Sequence, residues 1–204
     1  VDPGRRAFFT RGARKAAELA VRQADANVEA RAGRWVRPPY ALEELPFLLA
    51  CTRCGDCIEA CPHHVVFSLS ARLGAQVAGT PAMDLLNKGC HLCEDWPCVR
   101  ACEPGALSLP QPSADEAQDS PPQPRLAVVA IDTGACLPYL GPECGGCAHS
   151  CPVESALLWE RERPHIDPDH CTGCALCRAA CILTPKAITV RSRFSPRPES
   201  PAGT

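Results

Sequence analysis

The chain has 204 residues and a formal net charge of −2, with 16 cysteines and 22 prolines against an aromatic share of only 5%. So few large apolar side chains cannot close an ordinary core, and something bonded to the cysteines must help hold the chain together, which argues against a metal-free globular enzyme. Residues 1–37 carry nine Lys or Arg against four acids and the remainder twelve against nineteen, a basic arm on an acidic body; that body is no nucleic-acid surface.

The arm opens with Arg5-Arg6-Ala7-Phe8-Phe9, which invites comparison with a twin-arginine export signal. Such a signal needs an apolar stretch after its charges, whereas Arg11, Arg14, Lys15, Glu18, Arg22 and Asp25 follow here. Cytoplasmic location is therefore the expectation, with periplasmic export as the alternative. Phe9, Ala13, Ala16, Ala17, Ala20 and Ala24 recur near helical spacing and predict a weak amphipathic helix over roughly residues 11–31. That helix is either a solvated face or a docking element for a partner or membrane surface. No run of about 18 apolar residues occurs, so no membrane span is expected.

Beyond the arm the cysteines fall into four groups of four. The first is Cys51, Cys54, Cys57 and Cys61, followed by Pro62. The second is Cys90, Cys93, Cys98 and Cys102. The third is Cys136, Cys144, Cys147 and Cys151, followed by Pro152. The fourth is Cys171, Cys174, Cys177 and Cys181. β-Prone segments trail the groups at 65–69, 106–109, 156–159 and 187–190, and incoming strands are predicted at 126–131 and 165–166. The repeated unit is strand, cysteine loop, one or two helical turns, strand. Residues 38–109 thus form the first half and 126–192 the second. A Pro-rich polar linker over 110–125 separates them, and 193–204 reads as a disordered tail.

Three chemistries compete for sixteen cysteines. Pairwise disulfides give no reason for a triplet-plus-one rhythm. Zinc sites are built from two separated Cys-x2-Cys pairs, not from a close triplet with a fourth three residues on. Iron–sulfur cubanes account for the pattern: three thiolates of a group hold one cluster and the fourth, with its proline, ligates the neighbouring cluster. Four [4Fe-4S] clusters need sixteen thiolates, and all sixteen are then used. The fold class expected is α+β, two lobes of the bacterial two-cluster ferredoxin type. The first and fourth groups share regular spacing while the second and third carry insertions. This favours a nested pairing, with Cys181 completing the first site, Cys61 the fourth, Cys151 the second and Cys102 the third; a tandem pairing of first with second and third with fourth is the alternative.

The array resembles the ferredoxin-type accessory proteins of the periplasmic nitrate reductase system, of the NapF and NapG/MauM types. Gly4–Gly12, Val36-Arg37-Pro38-Pro39, Phe47-Leu48 and Cys51-Thr52-Arg53-Cys54 are similar to NapF. The wide third group is common to both types. Cys93–Cys98, Gly105-Ala106-Leu107 and Cys181-Ile182-Leu183 are more like NapG. The resemblance implies four [4Fe-4S] clusters and a partner that is a molybdenum oxidoreductase catalytic subunit.

The six histidines make no site. His63, His64, His91 and His149 lie in or beside the cysteine loops, where tuning of solvation is expected rather than metal binding. His165, Asp167, Asp169 and His170 surround Pro168, a strand-end turn. Trp96 is expected to pack inside the second group. No phosphate loop or nucleophile–base motif occurs. The expected role is therefore electron transfer between redox proteins, not enzymatic catalysis. Two alternatives stand beside it: a cytoplasmic interaction or maturation protein for the reductase, and an exported electron-transfer subunit of the NapG type.

Overall fold

A computed structural model describes residues 3–110 and 122–195. Helix α1 spans Pro3–Ala32, longer than predicted, because the Ala-, Glu- and Arg-rich run contains no interior breaker after Gly12. Gly33 ends it. Of the stripe predicted to be apolar, Ala20 and Ala24 are exposed, and the side chains of Phe9, Ala13, Ala16 and Ala17 lie outside the described ones. Its last turn docks through Ala32, which joins Trp35, Leu69, Val77 and Ala82 in a small core.

Helix α2 (Glu44–Ala50) carries Pro46 in its first turn, where no backbone donor is lost. It buries Phe47 and Glu44 completely. Short helices α3 (Asp56–Glu59), α4 (Pro97–Arg100) and α6 (Leu176–Ala180) each hold the third cysteine of a group and stop just short of the fourth. The x3 spacing supplies one helical turn between the two. In the third group the longer insertion folds as α5 (Leu137–Leu140).

Among the described residues the strands form three antiparallel pairs. Strands β1 (Val66–Ser68) and β2 (Pro81–Met83) pair with Phe67 opposite Ala82. Strands β3 (Ala127–Ile131) and β6 (Ile188–Ser192) pair with Val129 opposite Val190. Strands β4 (Leu157–Glu160) and β5 (Arg163–Ile166) form a tight hairpin. Each trailing segment predicted as β-prone therefore pairs, the second as a bridge of Leu107 to Ala41. Both halves share one plan: an outer pair closes the unit (Ala41 with Leu107; β3 with β6) and an inner pair links its two cysteine groups (β1 with β2; β4 with β5). That plan makes residues 41–107 one lobe and 127–192 the other.

The boundaries of the linker and tail shift. Tyr40 Oη donates to the Pro122 carbonyl at 3.0 Å, and Arg125 donates to the carbonyls of Pro168 and Cys171, so 122–125 lie against the body; residues 111–121 are outside the described ones. The start of the predicted tail is also seated. Phe194 packs beside Trp35 and Leu69, and Ser195 Oγ donates to the Gly33 carbonyl at 2.8 Å. Residues 196–204 lie outside the described ones. Among the described residues no helix is long and apolar enough to cross a membrane.

Candidate metal centres

The cysteines converge as four quartets, and their pairing corrects the nested expectation. Cys51, Cys54 and Cys57 line one space with Cys102, not with Cys181; this is site one. Cys90, Cys93 and Cys98 line another with Cys61, site two. Cys147 has Cys136, Cys181 and Cys144 as its charged neighbours, forming site three. Cys171 and Cys174 have Cys151, and with Cys177 they form site four. Neighbouring groups exchange their fourth cysteines within each lobe, because the inner strand pair folds each group directly onto the next. Similar spacing in the first and fourth groups carried no pairing information; the insertions are absorbed locally.

All sixteen cysteines are free of disulfides. Among the described residues, no three histidine, cysteine or carboxylate side chains close around a point as a single ion requires. The electrostatics of the quartets call for a cation-rich occupant. Burial first, and then the neighbouring cysteines, push the thiols of Cys57 and Cys98 up to about 12, and burial with Cys136 beside it pushes Cys147 up to about 11. Thiols packed this closely cannot ionise together unless positive charge lies between them.

Backbone donors are aimed at the sulfurs. The backbone turns left-handed just before the second cysteine of three groups, at Arg53, Leu92 and Gly173. These turns direct N–H groups inward, so that Leu92 donates toward Cys90 and Gly173 toward Cys171. Leu107 N–H donates to Cys102 Sγ at 3.3 Å. Among the described residues, two further donors are buried without a partner, Thr172 Oγ1 and Trp159 Nε1. Thr172 stands between Cys171 and Cys174 of site four. Trp159 lines the hollow beside Cys144 at site three. Donors converging on sulfur are what thiolate-bound iron–sulfur clusters require.

The remaining expected residues sort as follows. Trp96 is buried and meets Tyr40 edge-on at 4.9 Å, lining site two. His63 and His91 stack at 3.6 Å between ring centroids over the same site, and burial followed by the His63 charge lowers the His91 pKa. His64 and His149 are exposed. Asp167 Oδ1 accepts from the Asp169 N–H and Oδ2 meets His170 Nδ1 at 2.9 Å, a turn around Pro168 as expected. His165 stands apart on β5, opposite Leu158.

Residues 128–182 match the family described as 4Fe-4S dicluster domain, a span that takes in the third and fourth groups together. The chain is 34% identical over 203 residues to the ferredoxin-type protein NapG of Escherichia coli (strain K12), covering 92% of this chain and 85% of that protein. It is 33% identical over 223 residues to the methylamine utilization ferredoxin-type protein MauM of Methylorubrum extorquens, with 99% and 96% coverage. The ferredoxin-type protein NapF of Escherichia coli (strain K12) is 31% identical over 168 residues, covering 77% and 88%. The chain belongs to this family of ferredoxin-type proteins.

As a ferredoxin-type iron–sulfur protein of the NapG/MauM type, it serves electron transfer. In this family member the spacing of the cysteines does not reveal the partners of the fourth cysteines or the two buried donors. Thr172 had a signal, a hydroxyl between two cysteines of one loop. Trp159 had none, since it is delivered to site three by the β4–β5 hairpin.

Proposed function

We propose that this protein carries four [4Fe-4S] clusters and passes single electrons between a donor and an acceptor protein, one of them a molybdenum oxidoreductase catalytic subunit. The supporting observation is the convergence of sixteen cysteines into four quartets. The ligand sets are Cys51, Cys54, Cys57 and Cys102; Cys61, Cys90, Cys93 and Cys98; Cys136, Cys144, Cys147 and Cys181; Cys151, Cys171, Cys174 and Cys177. When bound, each cluster takes up and releases one electron. The chain's own part is to hold the thiolates, direct N–H and O–H donors at sulfur and shield the sites from water. No residue is assigned a catalytic role.

Anaerobic purification tests this reading. A brown protein with about sixteen irons per chain is expected, and Cys147→Ala should lose about a quarter of them. A colourless zinc protein, or a Cys147→Ala chain that keeps all its iron, defeats it.

A second reading, that the protein binds the reductase subunit during its maturation, is favoured by α1, whose side chains Lys15, Leu19, Val21 and Arg22 are exposed. Deleting residues 1–31 should then abolish binding to that subunit with iron content unchanged; binding that survives the deletion removes the reading. Cytoplasmic location is part of the proposal. Intact mass of the protein from separated cellular fractions checks it, and a chain shortened at its N-terminus and recovered outside the cytoplasm would make it an exported electron carrier instead.

A further inference from the structure

The two lobes need not have touched at their metal centres, since tandem pairing completes each lobe by itself. They do touch there. The Cys90 N–H of site two donates to the Cys174 carbonyl of site four at 2.8 Å. One residue earlier, Gly89 lies flat on α6: a Cβ at this position would come within 2.8 Å of Leu176 Cα and 2.7 Å of its Cδ2. Arg178 Nε donates across the lobe boundary to the Leu86 carbonyl at 2.9 Å, while its other end is tied within its own lobe to the Ile188 carbonyl. Cys61, Met83 and Cys90 of one lobe share a single buried cluster with Cys174 and Ala175 of the other.

We propose that the contact of residues 86–90 with α6 is a clasp that positions site two against site four, so that the four sites stand in one row ordered one, two, four, three. The inference rests on the four-cluster reading. Within the lobes the same adjacency holds at the other joints: Cys98 of site two neighbours Cys57 of site one, and Cys177 of site four neighbours Cys147 of site three. The order in the row is therefore not the order in the chain. With the clasp, the row is continuous across the lobe boundary. Its ends are sites one and three, where Cys54 is exposed and Ile182, next to Cys181, is 70% exposed. Gly89, Leu176 and Arg178 act as positioning residues, ligating nothing themselves.

The test uses the full-length protein, purified anaerobically and reduced with dithionite, read by iron content and by the magnetic broadening between neighbouring reduced clusters in electron paramagnetic resonance. Gly89→Ala forces a backbone shift at α6 without a strained backbone angle of its own. Arg178→Met removes the cross-lobe hydrogen bond and keeps the side chain's bulk. In both variants the expected result is full iron with loss of the inter-lobe part of the broadening, the within-lobe part persisting. Spectra of both variants that superimpose on the wild type at full iron overturn the clasp. Should Gly89→Ala fail to fold, Arg178→Met decides alone. Failure of the four-cluster reading looks different: the wild type itself would then fall far short of about sixteen irons.

Discussion

Thr172 is 2% exposed and its hydroxyl has no hydrogen-bond partner, an arrangement that costs about 1–3 kcal/mol when nothing accepts the proton. A sulfur of site four is the acceptor its position offers. A hydrogen bond to sulfur favours the more negative, reduced state. Thr172→Val keeps the shape and removes the donor, so one of the potentials in a redox titration should move downward, on the order of tens of millivolts. An unchanged set of potentials would leave the buried hydroxyl unexplained. Trp96 is a contrasting residue, since its edge-on contact with Tyr40 and its burial account for it by packing alone.

At the scale of elements, the cysteine loops work because strands cross them closely. Gly173 has φ +77°, and a Cβ there would stand 2.1 Å from the Ala127 carbonyl oxygen and 2.4 Å from its nitrogen. Strand β3 lies directly over the loop, and the Leu126 N–H donates to the Thr172 carbonyl at 2.8 Å. No side chain fits, and relief requires moving the strand off the site. Gly173→Ala should therefore destabilise the second lobe by about 3–5 kcal/mol and release the iron of site four; a variant that purifies with a full iron complement would show that β3 can yield. Gly55, also left-handed at φ +92°, meets nothing within 4 Å. There only the backbone angle favours glycine, and a substitution should be far milder.

For the whole molecule, the cores are small, and three of the four described ones contain site cysteines. One polar anchor supports the first lobe: Arg37 and Glu44, both buried, are joined by Nε to Oε2 at 3.0 Å. Trp35 Nε1 donates to the same carboxylate at 3.2 Å, and Arg37 also reaches Thr80 Oγ1 at 2.9 Å. Every charge there is matched, as a buried pair requires. The thiols set the response to pH. In the folded arrangement without iron, Cys57, Cys90, Cys98 and Cys177 are held at about 12 by burial and by the neighbouring cysteines, against an ordinary value of 9.0. Groups raised in the folded state leave it fully favoured below the ordinary value and weaken it as pH rises toward the raised one. Chelator-treated protein should therefore lose residual structure in circular dichroism as pH climbs above about 9. Iron-loaded protein, whose thiolates are already bound, should not show this loss; parallel curves for the two forms would contradict the assignment.

The sequence by itself determined that the cysteines form four groups and that strands frame them. Spacing along the chain is local: an x3 interval is one helical turn, and a β-branched segment beside it favours a strand wherever it lies. Leu126–Ile131 and Ala187–Val190 were legible for that reason. Only the tertiary structure decided which group completes which site, because a fourth cysteine points away from its own loop and its partner depends on how the inner strands fold back. The register of β1 on β2 brings Cys61 to the second group, and that of β4 on β5 brings Cys151 to the fourth. Seating of Phe194 and Ser195, the bond of Arg37 to Thr80, and closure of Gly89 on Leu176 likewise join residues far apart in the chain. Such contacts depend on shape complementarity between elements, which no single segment of sequence encodes.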